Sequence, residues 1–141
     1  MTGYVFDDTV LDAYGHGSDN VARLIAGLDG RQIRMAVPAI TLAVAQAALS
    51  DEQCDDIDGV IDSLEHVQLD PLVHTDQITE LSRVIGVCGS PPDSAAAHAI
   101  YVSKRLDWPI VTVDRKRWAV LEEGLPWPLE LVELAEPEQA N

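Results

Sequence analysis

Two short apolar runs in this chain end on an aspartate. Tyr4-Val5-Phe6 leads into Asp7, and Pro109-Ile110-Val111-Thr112-Val113 leads into Asp114. The second run is almost continuous in apolar residues. That is the pattern of a strand buried on both faces, and such strands belong to parallel sheets covered by helices. In a parallel sheet both aspartates leave from the carboxyl edge, where open α/β folds place their chemistry. A third acid, Asp93, opens a helical stretch that runs to Leu106, and crossover helices begin at that same edge. Three carboxylates from distant parts of the chain are thus expected to converge on a site suited to a divalent cation.

The rest of the chain alternates strand and helix. Thr9 to Tyr14 forms a short helix closed by Gly15-His16-Gly17. Ser18 or Asp19 caps the next helix, where Val21, Leu24, Ile25 and Leu28 share a face and Gly27 and Gly30 mark the end. Gln32 to Val37 is a strand, and Pro38 starts an alanine-rich helix to about Leu49. Ser50-Asp51-Glu52 signals a further helix start, with Ile57, Val60, Ile61 and Leu64 facing inward. His66 to Leu69 is a third strand stopped by Asp70-Pro71. Thr75 caps a helix buried through Ile78, Leu81, Val84 and Ile85. A short helix follows Asp114, and Leu129 to Leu134 supplies the last strand. The expectation is a three-layer α/β/α sandwich with a mostly parallel sheet of about five strands.

Length and charge narrow the function classes. At 141 residues the chain suits one domain with a real core, expected over residues 1–135 with a frayed acidic tail at 136–141. Acidic residues number 24 against 9 basic, a formal charge of −15. Such a field repels nucleic acid and anionic membrane in general, and favours basic partners or bound cations. Three of the few cations, Arg115, Lys116 and Arg117, directly follow Asp114, where they could hold phosphates over a cation site. Cys54 and Cys88 lack metal or redox spacing and are expected to be reduced thiols of a cytoplasmic protein. The first residues carry no basic region, so no signal peptide is expected, and the apolar stretch Met35 to Leu49 is too short to span a bilayer.

Several motif readings compete at the amino end. Phe6-Asp7-Asp8-Thr9-Val10-Leu11 has adjacent aspartates, where a haloacid-dehalogenase-like phosphatase spaces them by one residue. A response-regulator receiver also begins with an acidic pair, and Asp70 would stand for its phosphoacceptor, but no Lys-Pro follows a late strand. Cys54 to Glu65 fits an EF-hand loop register in part, with Cys54 where an oxygen ligand is needed. His16, His66, His74 and His98 show no ligand spacing, and His98 reads as a solvated or rim residue beside Ser94, Tyr101 and Arg105. Trp108, Trp118 and Trp127 are too scattered for a base-stacking platform and are expected to pack the last strands.

One reading reaches nearly the whole chain. Tyr4-Val5-Phe6-Asp7-Asp8-Thr9-Val10-Leu11 resembles the opening of PIN-domain ribonucleases, in which a strand delivers an aspartate followed two residues later by Ser or Thr. Val37-Pro38-Ala39-Ile40-Thr41-Leu42-Ala43 is similar to that family's second strand and helix. Asp93-Ser94-Ala95-Ala96-Ala97-His98-Ala99 is similar to its later acidic segment, and Pro109 to Asp114 to its strand ending in Thr-x-Asp. The size most resembles the toxin half of VapBC-type toxin–antitoxin pairs.

The resemblance implies an Mg²⁺- or Mn²⁺-dependent endoribonuclease, with RNA as substrate, an antitoxin protein as partner and a homodimeric state. Asp7, Asp93 and Asp114 would be catalytic metal ligands, Thr9 and Thr112 would orient a carboxylate or a metal-bound water, and Arg115, Lys116 and Arg117 would contact RNA. One position departs from the family. After Thr41-Leu42-Ala43 the family has a glutamate, and this chain has Val44. Gln46 faces another direction, and Asp8 is expected on the side of the strand end opposite Asp7. The alternative is therefore a catalytically reduced PIN-like module that binds RNA or a protein partner without cleaving.

Overall fold

The computed structural model describes residues 2–134, so the tail expected at 136–141 lies outside the described residues. Twelve elements follow in order: β1 (Gly3–Phe6), α1 (Asp8–Gly15), α2 (Asp19–Gly30), β2 (Arg34–Pro38), α3 (Ala39–Ala47), α4 (Asp51–Ser63), β3 (Val67–Asp70), α5 (Thr75–Ile85), α6 (Ser94–Leu106), β4 (Ile110–Thr112), α7 (Arg115–Glu123) and β5 (Leu131–Glu133). The strands form one sheet in the order β3-β2-β1-β4-β5, and every pairing is parallel. The expected architecture is present, with the sheet wholly rather than mostly parallel.

Two apolar cores sandwich the sheet. Val5, Ala36 and Ile110 point to one side, where they meet Leu81 and Val84 of α5, Ile100 and Val102 of α6, and Trp118. Phe6, Met35, Val37 and Val111 point to the other, against Val10, Leu11, Val21, Ile25 and Leu28 of the early helices. Successive strand residues thus feed opposite cores, as the period of two requires. Gly3 allows β1 to lie against the Trp108 indole, since a Cβ there would come within 2.8 Å of the ring.

Element ends shift by a residue or two, each for a local reason. Gln32 takes a positive φ of 60°, so the second strand starts only at Arg34. His74, not Thr75, precedes the first turn of α5, and Gln77 reaches back to accept from its backbone N–H. The Ser50 signal forms a full capping box with Gln53. Cys54 is half-buried and Cys88 buried, and both are free thiols. Burial, with a smaller push from the Asp93 charge, raises the Cys88 thiol to about 11. No helix among the described residues is long and apolar enough to cross a membrane.

The strand order sets where a site can form. The chain runs from β1 outward through β2 to β3, then returns to place β4 against the free side of β1. The crevice beyond the carboxyl ends of β1 and β4 is therefore the topological switch point of the sheet.

Candidate functional site

Asp7, Asp93 and Asp114 all lie at this edge, and each caps a helix. Asp7 Oδ1 accepts from the Val10 amide at 3.0 Å, Asp93 Oδ1 from the Ala96 amide at 3.0 Å, and Asp114 Oδ1 from the Arg117 amide at 3.2 Å. Short polar residues that open a helix do this because the first helical amides lack partners. The amino ends of α1, α6 and α7 thus converge on the switch point.

Asp7 is fully buried, and each of its carboxylate oxygens accepts from a protein donor. The Thr9 hydroxyl donates to Oδ1 at 2.6 Å, and the Trp118 indole Nε1–H donates to Oδ2 at 2.8 Å. Thr9 Oγ1 also receives the Val113 amide. Its proton is committed to Asp7, so in the 3.1 Å contact with Thr112 the Thr112 hydroxyl is the donor. Thr112 in turn accepts from the Asp114 amide. A chain of hydrogen bonds thus runs from the backbone after β4 to the carboxylate after β1. Thr9 donates directly to the Asp7 carboxylate, and Thr112 reaches it only through Thr9.

The cluster holds its own cation. Arg117 Nε donates to Asp93 Oδ2 at 2.9 Å and Nη2 to Asp93 Oδ1 at 2.9 Å, a bidentate fork. Its Nη1 donates to Asp8 Oδ1 at 2.5 Å and lies 3.8 Å from Asp7 Oδ2. Burial weighs against the Arg117 charge, but the Asp8 and Asp93 carboxylates outweigh it and hold its pKa above the ordinary arginine value. Burial likewise pushes the Asp8 carboxyl up, against the pull of Arg117. Of the basic stretch expected to face RNA, Arg115 and Lys116 are exposed, whereas Arg117 turns inward onto carboxylates. Asp8, expected on the side away from Asp7, is a member of the cluster. It opens α1, and the helical turn after β1 swings it towards α7.

Beside the cluster lies a depression of about 460 Å³ walled by Asp8, Asp12 and Asp114, with Thr9, Val44, Ala45 and Ala48 among its lining. Val44 therefore faces this depression, at 43% exposure, and presents methyl groups rather than oxygens to it.

The residues present do not fit the Mg²⁺ or Mn²⁺ that the family resemblance implies. Asp7 has both oxygens taken by donors, Asp93 and Asp8 grip a guanidinium, and Val44 offers no oxygen. Among the described residues no three His, Cys, Asp or Glu side chains surround a common cation position.

His98 corrects another expectation. It is fully buried, not a rim residue, because α6 is covered along its length by α3 and α5. Its Nδ1 accepts from the Ile40 amide at 3.0 Å, and its Nε2 has no hydrogen-bond partner among the described residues. Burial, with the Arg105 charge adding, lowers its pKa to about 4.

No family model matches the chain, and no curated protein does. Among solved structures, the Mycobacterium tuberculosis toxin VapC20, which cleaves the sarcin–ricin loop, superposes with a TM-score of 0.61 at 11% identity, over 84% of this chain and 95% of that one. The fold is PIN-like. At that identity the likeness speaks for the backbone arrangement alone. Asp8, Arg117 and Trp118 were not singled out by sequence as a set. The spacing Asp114-x-x-Arg117-Trp118 after a strand was the available signal, since it puts an arginine and an indole on the first turn of a helix opening at the site edge.

Proposed function

We propose that this chain is a catalytically reduced PIN-like module that holds a protein partner at the carboxyl edge of its sheet and does not cleave RNA by divalent-metal chemistry. The observation that carries the reading is the grip of Arg117 on Asp8 and Asp93, beside a fully buried Asp7. Hydroxide generation and phosphate stabilisation by a metal need carboxylate oxygens free to ligate it, and those of Asp7 and Asp93 and one of Asp8 already accept hydrogen bonds from the protein itself. The depression supports a cationic protein segment as occupant. It is lined by three aspartates, Asp8, Asp12 and Asp114, together with the apolar Val44, Ala45, Ala48 and Val113, and the net charge of −15 opposes a polyanion.

A second reading keeps the enzyme. The fold likeness to VapC20 and the gathering of Asp7, Asp93 and Asp114 at one edge favour a metal-dependent endoribonuclease, the toxin of a toxin–antitoxin pair, with RNA and an antitoxin as its partners and a homodimer as its form. Incubating the purified protein with structured RNA, a sarcin–ricin stem-loop included, in Mg²⁺ or Mn²⁺ separates the two. The binding module leaves the RNA intact, as does an Asp7→Asn control. Cleavage by the wild type that the control loses would establish the enzyme instead. A small antitoxin-like reading frame directly upstream would add weight to the toxin.

A further inference from the structure

We propose that the cavity between α5, α6 and Trp127 is a binding site for a small organic anion with a flat apolar body, such as an aromatic carboxylate. It stands apart from the edge cluster. Lys104, which lines it, follows Asp93 by about three turns of α6, roughly 16 Å along the helix axis.

The cavity measures about 570 Å³, within the ordinary range for small-ligand sites. Two helical faces build it. Glu80, Arg83, Val84 and Val87 recur at helical spacing along α5 and just past its end, and Tyr101, Lys104 and Arg105 do so on α6. Val84 and Tyr101 are buried and Val87 is half-buried, so the lining has an apolar part, while the charged residues are exposed. Trp127, from the segment before β5, completes the lining.

The charges of the lining favour an anion. Three of the chain's 9 basic residues stand here against one of its 24 acidic ones, which reverses locally the sign of a chain at −15. Two of the cations are engaged, because Arg83 donates to Glu80 at 2.6 Å and Arg105 pairs with Asp70. Lys104 is paired with no carboxylate among the described residues. Its ammonium lies 4.0 Å from the centre of the Trp127 ring. A ring face attracts a cation only modestly, and an ammonium has three N–H groups to donate. An entering carboxylate can therefore pair with Lys104 without breaking an ion pair.

Trp127 supplies a second, independent observation. Its indole Nε1–H is buried and has no hydrogen-bond partner among the described residues, although a buried indole N–H usually finds one. The same ring and the same lysine also line a neighbouring cavity of about 400 Å³, together with Trp108 and Leu129. The indole thus stands between two spaces, and a turn about its side-chain bonds presents the N–H to an acceptor oxygen. An aromatic acid matches these features together. Its flat body covers Val84, Val87 and the Tyr101 ring, and its oxygens meet Lys104 and the indole.

The test titrates cinnamate, and its uncharged analogue cinnamyl alcohol, into the ¹⁵N-labelled chain. It follows the indole N–H resonances of Trp108, Trp118 and Trp127, the last assigned with Trp127→Phe. Cinnamate should shift the Trp127 resonance downfield and saturably, while that of Trp118, beside Asp7, stays in place. The alcohol should bind at least about fivefold more weakly, the loss expected for one exposed ion pair. Lys104→Met keeps an apolar stem at an exposed position and leaves the fold intact. It should weaken cinnamate by about fivefold and leave the alcohol unchanged. Four results overturn the proposal: no saturable shift at millimolar cinnamate, a shift of Trp118 in place of Trp127, equal affinity for acid and alcohol, or a Lys104→Met variant that binds cinnamate as wild type does.

Discussion

Replacing Trp118 with phenylalanine tests whether the site is held by hydrogen bonds to a buried charge. Asp7 and Trp118 are both fully buried. Asp7 Oδ1 has two donors, the Thr9 hydroxyl and the Val10 amide, while Oδ2 has the indole N–H at 2.8 Å. Arg117 Nη1, at 3.8 Å from Oδ2, is too far to take over. Phenylalanine fills most of the ring volume but leaves a carboxylate oxygen without a donor. A hydrogen bond to a charged group is worth about 1.5–3 kcal/mol, and the smaller ring adds roughly 1 kcal/mol of lost packing. Trp118→Phe should therefore lower stability by about 3 kcal/mol, read from urea unfolding followed by far-UV circular dichroism. The control is the same substitution in an Asp7→Asn background. There an amide whose oxygen stays with Thr9 and Val10 turns its N–H groups on the indole, and removing the indole relieves that clash. The loss should shrink by about 2 kcal/mol in that background. An equal loss in both backgrounds would show that Trp118 acts through packing alone and that Asp7 does not need its third donor.

Two further expectations concern neighbouring positions. Val44→Glu adds a carboxylate to a wall that already holds Asp8, Asp12 and Asp114. It should destabilise by about 0.5–1 kcal/mol at low salt and recover as salt rises. It should gain no Mn²⁺ response while Arg117 is in place, and thermal melts at two salt concentrations, with and without Mn²⁺, check both parts. His98, lowered to about 4 in the folded chain, takes up its proton near pH 6.5 when unfolded. The unfolded state binds the proton first, so the contribution is intact above that range and is lost as pH falls towards 4. Between pH 8 and pH 5 this removes about 2 kcal/mol. His98→Asn keeps an acceptor for the Ile40 amide, so its stability should fall less over that interval in matched urea titrations. Identical slopes for variant and wild type would mean that His98 binds its proton equally well folded and unfolded.

The fold was legible because its signals are local and redundant. Val5 and Phe6, or Ile110 and Val111, are apolar on both faces, and only a sheet covered on both sides buries such strands. Caps such as Ser50 and Asp93 are marked by their own chemistry. The misplaced boundaries fall where conformation outweighs residue type, as at Gln32 with its positive φ. The placing of His98 at the rim failed for a different reason. A helix with Ser94, Tyr101 and Arg105 on one face looks amphipathic along the chain, yet α3 and α5 both pack on α6 and leave nine consecutive residues of it buried. Which helices cover a given face is decided by tertiary packing, and periodicity within one helix does not report it.

The acids of the site were legible for the same local reason, since a strand that ends on aspartate places it at the sheet edge. The arginine was not. Arg115, Lys116 and Arg117 form a run of like charge, and a run is naturally read as one solvated lip. The helix that begins at Arg115 divides it, because successive residues turn by about 100°. Arg115 and Lys116 stay in water while Arg117 and Trp118 swing under the edge towards Asp7, Asp8 and Asp93. The sign of the whole chain points the same way. With 24 acidic residues against 9 basic, a cation placed among carboxylates gains more than one offered to solvent, provided a fork can satisfy two acids at once. Along the sequence the three cations look alike, because the helical phase of α7 that separates them is set by where Asp114 starts the helix. Applying that phase turns the same three residues into two surface cations and one counter-ion, and it makes the absence of a glutamate at position 44 intelligible. A carboxylate there would join Asp8, Asp12 and Asp114 around one depression and add to their mutual repulsion, which the Val44 methyl groups avoid.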